Sequence, residues 1–350
     1  MTNSAERAIN WVEQGYVPDM AIRHGIRRLI RQRLNEIDAD DCEIANKRKQ
    51  HFIQQMKKSV IAPVPEKANE QHYEVPAELY LQTLGENLKY SCCYWDDTTR
   101  TLSQAENRSF EIYQQRAQLK NGQQILELGC GWGSLTLWMA RQFPDSHITA
   151  VSNSHSQREF IEERARLLEL NNINIITCDM NAFVSDKKFD RVVSIEMFEH
   201  MRNWQVLFDS VSGWLKDDGK FFMHVFVHRD VPYEFEVKDE SDWMSRFFFS
   251  GGIMPSDDLP LYFLNNLSIE NHWRWSGCHY QKTAEAWLEN MDQHKDLIWP
   301  VLIKTYGEQD ARKWWMRWRI FFMACAELFG YDNGQQWWIG HYLFNKEEVS

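Results

Sequence analysis

Two hydrophobic periods alternate along the chain from Gln124 onward. The apolar run that begins at Ile125-Leu126 and closes at Glu127 predicts a short buried strand. His147–Val151, Ile173–Cys178, Phe189–Ile195 and Lys220–Val227 are further runs of strand length, the last following a turn at Asp217-Asp218-Gly219. Between them, Ser134–Gln142, Ser154–Leu170 and Trp204–Leu215 carry the helical period, and in the second Phe160, Ile161, Leu167 and Leu168 fall on one apolar side. Strand and helix alternating in this way imply a mostly parallel sheet covered on both faces. After Val227 the period fails. Residues 229–262 are aromatic and acidic, with Trp243, Phe247-Phe248-Phe249 and Gly251-Gly252. An irregular insertion of that length after a strand end reads as a lid, placed at about 229–265. Thr283–Lys304 and Glu308–Leu328 return to the helical period, while Ser268–Trp275 and Trp337–Phe344 read as strands. These last two fit an antiparallel hairpin completing a seven-stranded sheet.

Upstream, residues 1–65 read as a helical segment and residues 66–350 as the main domain. Ala21–Ile37 places Ile22, Ile26, Leu29, Ile30 and Leu34 at helical spacing, ringed by Arg23, Arg27, Arg28, Arg31 and Arg33. Such a helix either docks on the protein with a solvated basic face or makes peripheral contact with an anionic membrane, and the pattern leaves both open. Lys47–Lys58 continues as a polar helix. Ile61-Ala62-Pro63-Val64-Pro65 ends it, since two prolines cannot sit in a helix interior. Val75–Tyr80 opens another helix that stops at Gly85, Tyr90–Trp95 is an aromatic and cysteine loop, and Leu102–Leu119 is a helix stopped by Asn121-Gly122.

Composition narrows the partners. Net charge is -11 over 350 residues. Nucleic-acid binders carry a basic footprint, so no nucleic-acid partner is expected. Residues 1–60 run the other way, with 11 Lys and Arg against 8 Asp and Glu. Seven cysteines, odd in number and irregular in spacing, form neither a disulfide framework nor a zinc pattern. A reducing compartment, the cytoplasm, and no metal are therefore expected. The start Met-Thr-Asn-Ser-Ala-Glu has no signal-peptide pattern, and no apolar run approaches the roughly 18 residues that span a bilayer. Sixteen Trp and 20 Phe either build a large aromatic core or line a pocket.

The chemistry gathers at the carboxyl ends of the strands, where open parallel sheets bind ligands. Gly129, Gly131 and Gly133 alternate with Cys130 and Trp132 between a strand and a helix. Glycines there admit positive φ and let a ligand approach bare backbone amides at a helix N-terminus. The other strand ends carry Ser152–Gln157, Asp179 and Glu196–His200. Glu196, Glu199 and His200, at spacing three and four, would share one face of a helical turn.

Glu127-Leu-Gly-Cys-Gly-Trp-Gly133 with Ser194-Ile-Glu-Met-Phe-Glu-His200 resembles the S-adenosylmethionine-dependent methyltransferases, and within them the group of cyclopropane fatty acid synthases, mycolic acid methyltransferases and coclaurine N-methyltransferases. Phe248–Pro255 and Ala324–Tyr331 resemble the coclaurine N-methyltransferase branch most. The resemblance covers roughly residues 75–345 and implies an α/β, Rossmann-like class I methyltransferase fold with S-adenosyl-L-methionine as cofactor. It implies that Gly129, Gly131 and Gly133 meet the methionine part, Asn153 and Gln157 the ribose and Asp179 the adenine, with Ser91 and Met180 as further contacts. Gln157 also suits a capping box with Ser154. Glu199 and His200 would form a general base, with Glu196 in support. The resemblance to cyclopropane synthases implies a second scheme, in which Cys92, Glu199 and His224, with Tyr331, hold a bicarbonate ion as base; Phe226 stands where that group has Ile. The expected partner is a small molecule: an amine methylated at nitrogen, or alternatively an unsaturated acyl chain methylated or cyclopropanated at carbon. A homodimer is compatible with either. A cofactor-binding scaffold without turnover would be expected to lack the Glu199-His200 pair.

Overall fold

The computed structural model describes residues 4–63, 76–236 and 242–347. Val64 and Pro65 of the proline break, Val75, and residues 237–241 of the insertion lie outside the described residues. Seven strands form one sheet: β1 (Gln124–Leu128), β2 (His147–Ser152), β3 (Ile173–Thr177), β4 (Phe189–Ile195), β5 (Leu215–His228), β8 (Leu267–Trp275) and β9 (Trp337–Lys346). The small strands β6 (Tyr233–Glu234) and β7 (Ile253–Met254) pair separately within the insertion. The order across the main sheet is β3-β2-β1-β4-β5-β9-β8. The first five are parallel, and β9 and β8 run antiparallel at one edge. This is the expected Rossmann-like arrangement.

The strand order places the site. The chain moves outward from β1 to β3 and then crosses back to β4 on the other side of β1. The loops after β1 and β4 therefore part at their carboxyl ends and leave a crevice, the usual ligand position in such sheets. Strand side chains alternate between two cores. Ile125, Val193 and Phe222 face one cluster, which includes the C-terminal helices. Leu126, Leu128, Val192, Phe221 and Met223 face the other, under helix Trp204–Trp214.

Three boundaries differ from the sequence reading. The turn at Asp217–Gly219 lies inside β5 as an irregularity: Phe189 pairs with Leu215 but Arg191 with Lys220. The long helix read at Thr283–Lys304 is two, Gly277–Gln293 and Lys295–Tyr306, broken at His294, whose Nδ1 meets the Gln82 carbonyl at 2.8 Å. The first begins early because the Ser276 hydroxyl caps it, accepting from the Cys278 amide. In helix Asp19–Glu36, Ile22 and Ile30 are buried but Leu29 faces solvent at 45 % exposure, so the apolar stripe is narrower than its spacing suggests.

That helix lies on the C-terminal helices. Arg23 pairs with Glu285 at 2.6 Å and Glu327 at 3.0 Å, Arg27 pairs with Glu327, and Arg319 pairs with Asp19 at 2.7 Å. Glu327 is buried and Arg23 and Arg319 are largely covered, so these pairs fix the helix on the C-terminal helices under less solvent screening than exposed pairs meet. No helix of the described residues is long and apolar enough to cross a membrane.

Candidate active site

Gly129, Gly131 and Gly133 all have positive φ (76°, 53° and 79°), but for different reasons. A Cβ on Gly129 would lie 2.6 Å from Met197 Cγ, and one on Gly133 would lie 2.6 Å from Ile161 Cγ1. Those two glycines let the β1 turn pack against the β4 loop and against helix His155–Leu167, which follows β2. A Cβ on Gly131 would meet no protein atom within 4 Å. Gly131 instead lines two cavities, which share Gly129, Gly131 and Gln157.

The first cavity encloses about 680 Å³, counting its open mouth, and has Asn153, Asp179, Met180 and His200 in its wall. Ala62 from the N-terminal segment and Gly251 from the insertion close it from outside the sheet. Gln157 shows how the capping reading resolves. Its amide N–H donates to Ser154 Oγ at 3.3 Å, so Ser154 does cap the helix. Its side-chain Oε1 accepts from Ser152 Oγ at 2.7 Å, and its Nε2 is buried with no partner. A buried donor facing a cavity costs free energy until a ligand acceptor meets it. Asp179 Oδ1 accepts from the Asn181 amide at 2.8 Å, and the Asn181 side chain in turn clasps the Ala62 backbone.

The second cavity, of about 550 Å³, has Lys89, Ser91, Glu127, Trp132 and Glu196 in its wall. Ser91 Oγ accepts from Lys89 Nζ at 2.6 Å. Burial pushes the Glu127 carboxyl up to about 8, although Thr136 donates to it at 2.5 Å. Trp132 Nε1 is a second buried donor without a partner. A long ligand crossing Gly131, with hydroxyls for Gln157 and a polar tail for the second cavity, fits both chambers. These are the parts of S-adenosyl-L-methionine.

Glu196, Glu199 and His200 do not share a helical face. Glu196 follows β4 directly with φ 47°, its amide still bonded to the His224 carbonyl, and the 3-10 turn begins only at Phe198. The three side chains diverge. Glu196 Oε1 accepts from the Cys92 amide at 2.8 Å and from His224 Nε2 at 3.1 Å, and Oε2 accepts from the Tyr280 hydroxyl at 2.8 Å. Glu199 is fully buried; its Oε1 accepts from the Phe226 amide at 2.7 Å and its Oε2 meets no partner. His200 faces the first cavity, with its ring 4.8 Å from that of Phe249.

The two carboxyls are driven apart in acidity. Burial and then the Glu196 charge raise Glu199 well above the carboxylate range. Burial would raise Glu196 too, but the His224 hydrogen bond, the Lys89 charge and the Cys92 amide outweigh it and keep this carboxylate ionised. Burial depresses His200 to about 4, leaving a neutral imidazole.

Of the groups set aside for bicarbonate, His224 does reach this centre. Cys92 reaches it through its backbone amide, not its thiol; burial holds the thiol protonated, with Sγ on the Cys93 carbonyl at 3.6 Å. Tyr331 packs edge-on against Trp337, and the tyrosine on the carboxylate is Tyr280. Sequence reasoning missed Tyr280 because the helix carrying it was started at Thr283; Ser276, a cap residue at the end of a strand, was the available signal.

A Rossmann-like sheet whose switch-point crevice is lined by a glycine turn, Gln157 and Asp179 is that of a class I S-adenosylmethionine-dependent methyltransferase. Residues 63–338 match the mycolic acid cyclopropane synthetase family, and the chain belongs to it. It is similar to the (S)-coclaurine N-methyltransferase of Thalictrum flavum subsp. glaucum, 38% identical over 345 residues that cover 96% of this chain and 94% of that one. The (S)-coclaurine N-methyltransferase of Papaver somniferum is 34% identical over 98% of each. A crystal structure of coclaurine N-methyltransferase bound to N-methylheliamine and SAH superposes with a TM-score of 0.93 at 36% identity, covering 97% of this chain and 99% of that one.

Proposed function

We infer that this chain transfers a methyl group from S-adenosyl-L-methionine to the nitrogen of a hydrophobic, aromatic-bearing amine. The observation that carries the reading is the position of Glu196. Its carboxylate already fills the nest made by the Cys92 amide, His224 Nε2 and the Tyr280 hydroxyl. A base borrowed from solution as bicarbonate would have to compete with an anion built into the chain, which argues against carbon methylation of an acyl chain. The names of similar plant enzymes, among them (S)-coclaurine and pavine N-methyltransferases, support the same side.

The cofactor, when bound, supplies an electrophilic methyl on a sulfonium. Gly129, Gly131, Asn153, Gln157, Asp179, Met180 and Ser91 would hold it across the two chambers. The amine lone pair can attack only from the free base, so a proton must leave. The Glu199-His200 pair supplies the base: His200, neutral and facing the cavity, takes the proton, while Glu199 behind it fixes the Phe226 backbone. Ionised Glu196 favours the positive charge that the nitrogen acquires. A chain of ring contacts runs from His200 through Phe249, Phe226 and Phe329 to Tyr280, an aromatic wall suited to a flat apolar acceptor and to its cation. We assign residues 229–265 as a lid over that acceptor and residues 1–65 as a segment distinct from the methyltransferase domain 66–350. Seven free thiols suit a cytoplasmic setting.

The test is turnover of the full chain with labelled cofactor against a panel of amines, (S)-coclaurine among them, beside phospholipids with unsaturated chains. N-methylated amine, formed equally well in bicarbonate-free buffer, is the expected product. Methylated or cyclopropanated lipid, with rates that follow added bicarbonate, would overturn the reading.

A further inference from the structure

Behind Glu196 a line of polar side chains leads away from the cavity. His224, on β5, donates through Nε2 to Glu196 at 3.1 Å. Its Nδ1 meets Nε2 of His341 at 2.9 Å. His341 lies directly across the antiparallel β5–β9 ladder, where the register pairs the two histidines. His341 Nδ1 meets Arg116 Nη1 at 2.6 Å. Arg116 ends helix Leu102–Arg116 and is half-buried, its guanidinium over the rings of Trp273 and Trp275. Both imidazoles are fully buried, and the Tyr113 hydroxyl also meets His224 Nδ1, at 2.9 Å.

The chemistry of the outer end sets the direction of the whole line. A guanidinium can only donate. His341 Nδ1 must therefore accept, so the proton of neutral His341 sits on Nε2 and is donated to His224 Nδ1. That leaves the proton of neutral His224 on Nε2, aimed at Glu196. Burial depresses both histidines, His224 to about 4, and leaves Arg116 at about 10, so two neutral imidazoles and one cation are the species at neutral pH. Every hydrogen bond then points inward, from the fixed charge to the carboxylate. With His341 removed, His224 could place its proton on Nδ1 and present a bare lone pair to Glu196.

We propose that His341 and Arg116 are positioning residues for methyl transfer, fixing through His224 the tautomer that keeps an ionised Glu196 at the reacting centre. Neither touches either cavity. The proposal rests on the amine reading given above, in which the Glu196 charge favours the developing ammonium. The other titratable or charged groups acting on Glu196 come from every side: Lys89 and Cys92 from the loop before helix Leu102–Arg116, Tyr113 from that helix, Tyr280 and Cys325 from the C-terminal helices, and Glu199 and His200 from its own turn.

The experiment has two arms. In the first, 15N-histidine NMR of the full chain reads the His224 tautomer without substrate, with His224→Gln assigning the signal. The expected form is Nε2–H in the wild type and a mixed or Nδ1–H form in Arg116→Met and His341→Leu. In the second, kcat/KM is followed at saturating cofactor from pH 9 down to the lowest pH at which the protein stays folded, below the ordinary carboxylate range where Glu196 titrates. A weakened His224–Glu196 bond makes Glu196 easier to protonate, so activity should be lost at higher pH as pH falls, the acidic limb moving up by about one unit, a tenfold effect. S-adenosylhomocysteine affinity should stay within about twofold, since the cofactor contacts are untouched. His341→Gln, which keeps an acceptor for Arg116 and a donor for His224, should restore the wild-type limb. Should His341→Leu not fold, half-exposed Arg116→Met carries the test alone. An unshifted tautomer in a folded Arg116→Met protein would overturn the proposal, as would a wild type already in the Nδ1–H form. Absence of turnover on every amine would instead sink the amine reading, and the NMR arm would still judge the relay.

Discussion

The three glycines of the β1 turn should respond differently to the same added methyl group. At Gly131 an Ala side chain meets no protein atom within 4 Å, so the folded state loses only the strain of a left-handed L-residue, roughly 1–2 kcal/mol. In domains of 150–250 residues each kcal/mol moves Tm by about 2–4 °C, and less in a larger chain, so Gly131→Ala should melt only a few degrees early. The same Cβ stands where both cavities meet. An intruding methyl in a fitted contact costs about 1–3 kcal/mol, which is roughly 5–150-fold in cofactor affinity. Gly133→Ala reverses the balance. Its Cβ would lie 2.6 Å from Ile161 Cγ1 and 3.1 Å from two further Ile161 carbons, so overpacking adds to the same backbone strain. That variant should melt markedly lower yet, where folded, hold the cofactor better than Gly131→Ala. Calorimetry with S-adenosylhomocysteine and thermal melts on both proteins decide the matter. Undiminished affinity in Gly131→Ala, or equal destabilisation by the two changes, would refute the assignment of Gly131 to the ligand.

Four other outcomes are expected. Replacing His200 by Ala should cost about 10²–10⁴ in turnover, and the loss should shrink between pH 7 and 9 as the amine loses its proton unaided, read from initial rates across that range. Cys92→Ala should be mild and Glu196→Gln severe, because only the Cys92 backbone serves the carboxylate; parallel rate measurements rank them. Glu127 binds its proton up to about 8 in the fold but releases it near its ordinary 4.5 when unfolded, so cofactor-free protein should lose stability as pH rises through that window, and Glu127→Gln should flatten the slope in urea titrations. With Arg23 and Arg27 paired to Glu285 and Glu327, full-length protein should not sediment with anionic vesicles at physiological salt; salt-sensitive binding abolished by Arg28→Glu and Arg31→Glu would show a membrane face instead.

Sheet and helices were legible because their signal is local. Phe189–Ile195 and Ser134–Gln142 match their elements end to end, since each is a single apolar run or period bounded by polar or glycine residues. The Gly131 and Gln157 positions were legible for the same reason: each follows a strand directly. The Glu196 nest was not, because its donors come from residues 92, 224 and 280, and nothing in their neighbourhoods marks the meeting. The spacing Glu196–Glu199–His200 suggested a shared helical face; the positive φ of Glu196 breaks it, and non-glycine residues rarely announce that conformation. His341 reads in sequence as one more residue of an apolar strand. Its role follows only from the register that sets it opposite His224.

The wall contributed by Ala62 bears on where this enzyme may be cut. The family match begins at residue 63, one position beyond that wall, so a boundary drawn by kinship would spare the whole catalytic sheet. It would also remove the clasp between Ala62 and Asn181, and with it the brace on the loop that carries Asp179. It would further strip Phe52, Ile53 and Met56 from the core under the sheet, so a trimmed enzyme of that kind should melt lower as well as show a higher KM for the cofactor. The residues ahead of the matched region are thus at once a wall of the donor chamber and a layer of the core, and a cut that opens the one unpacks the other.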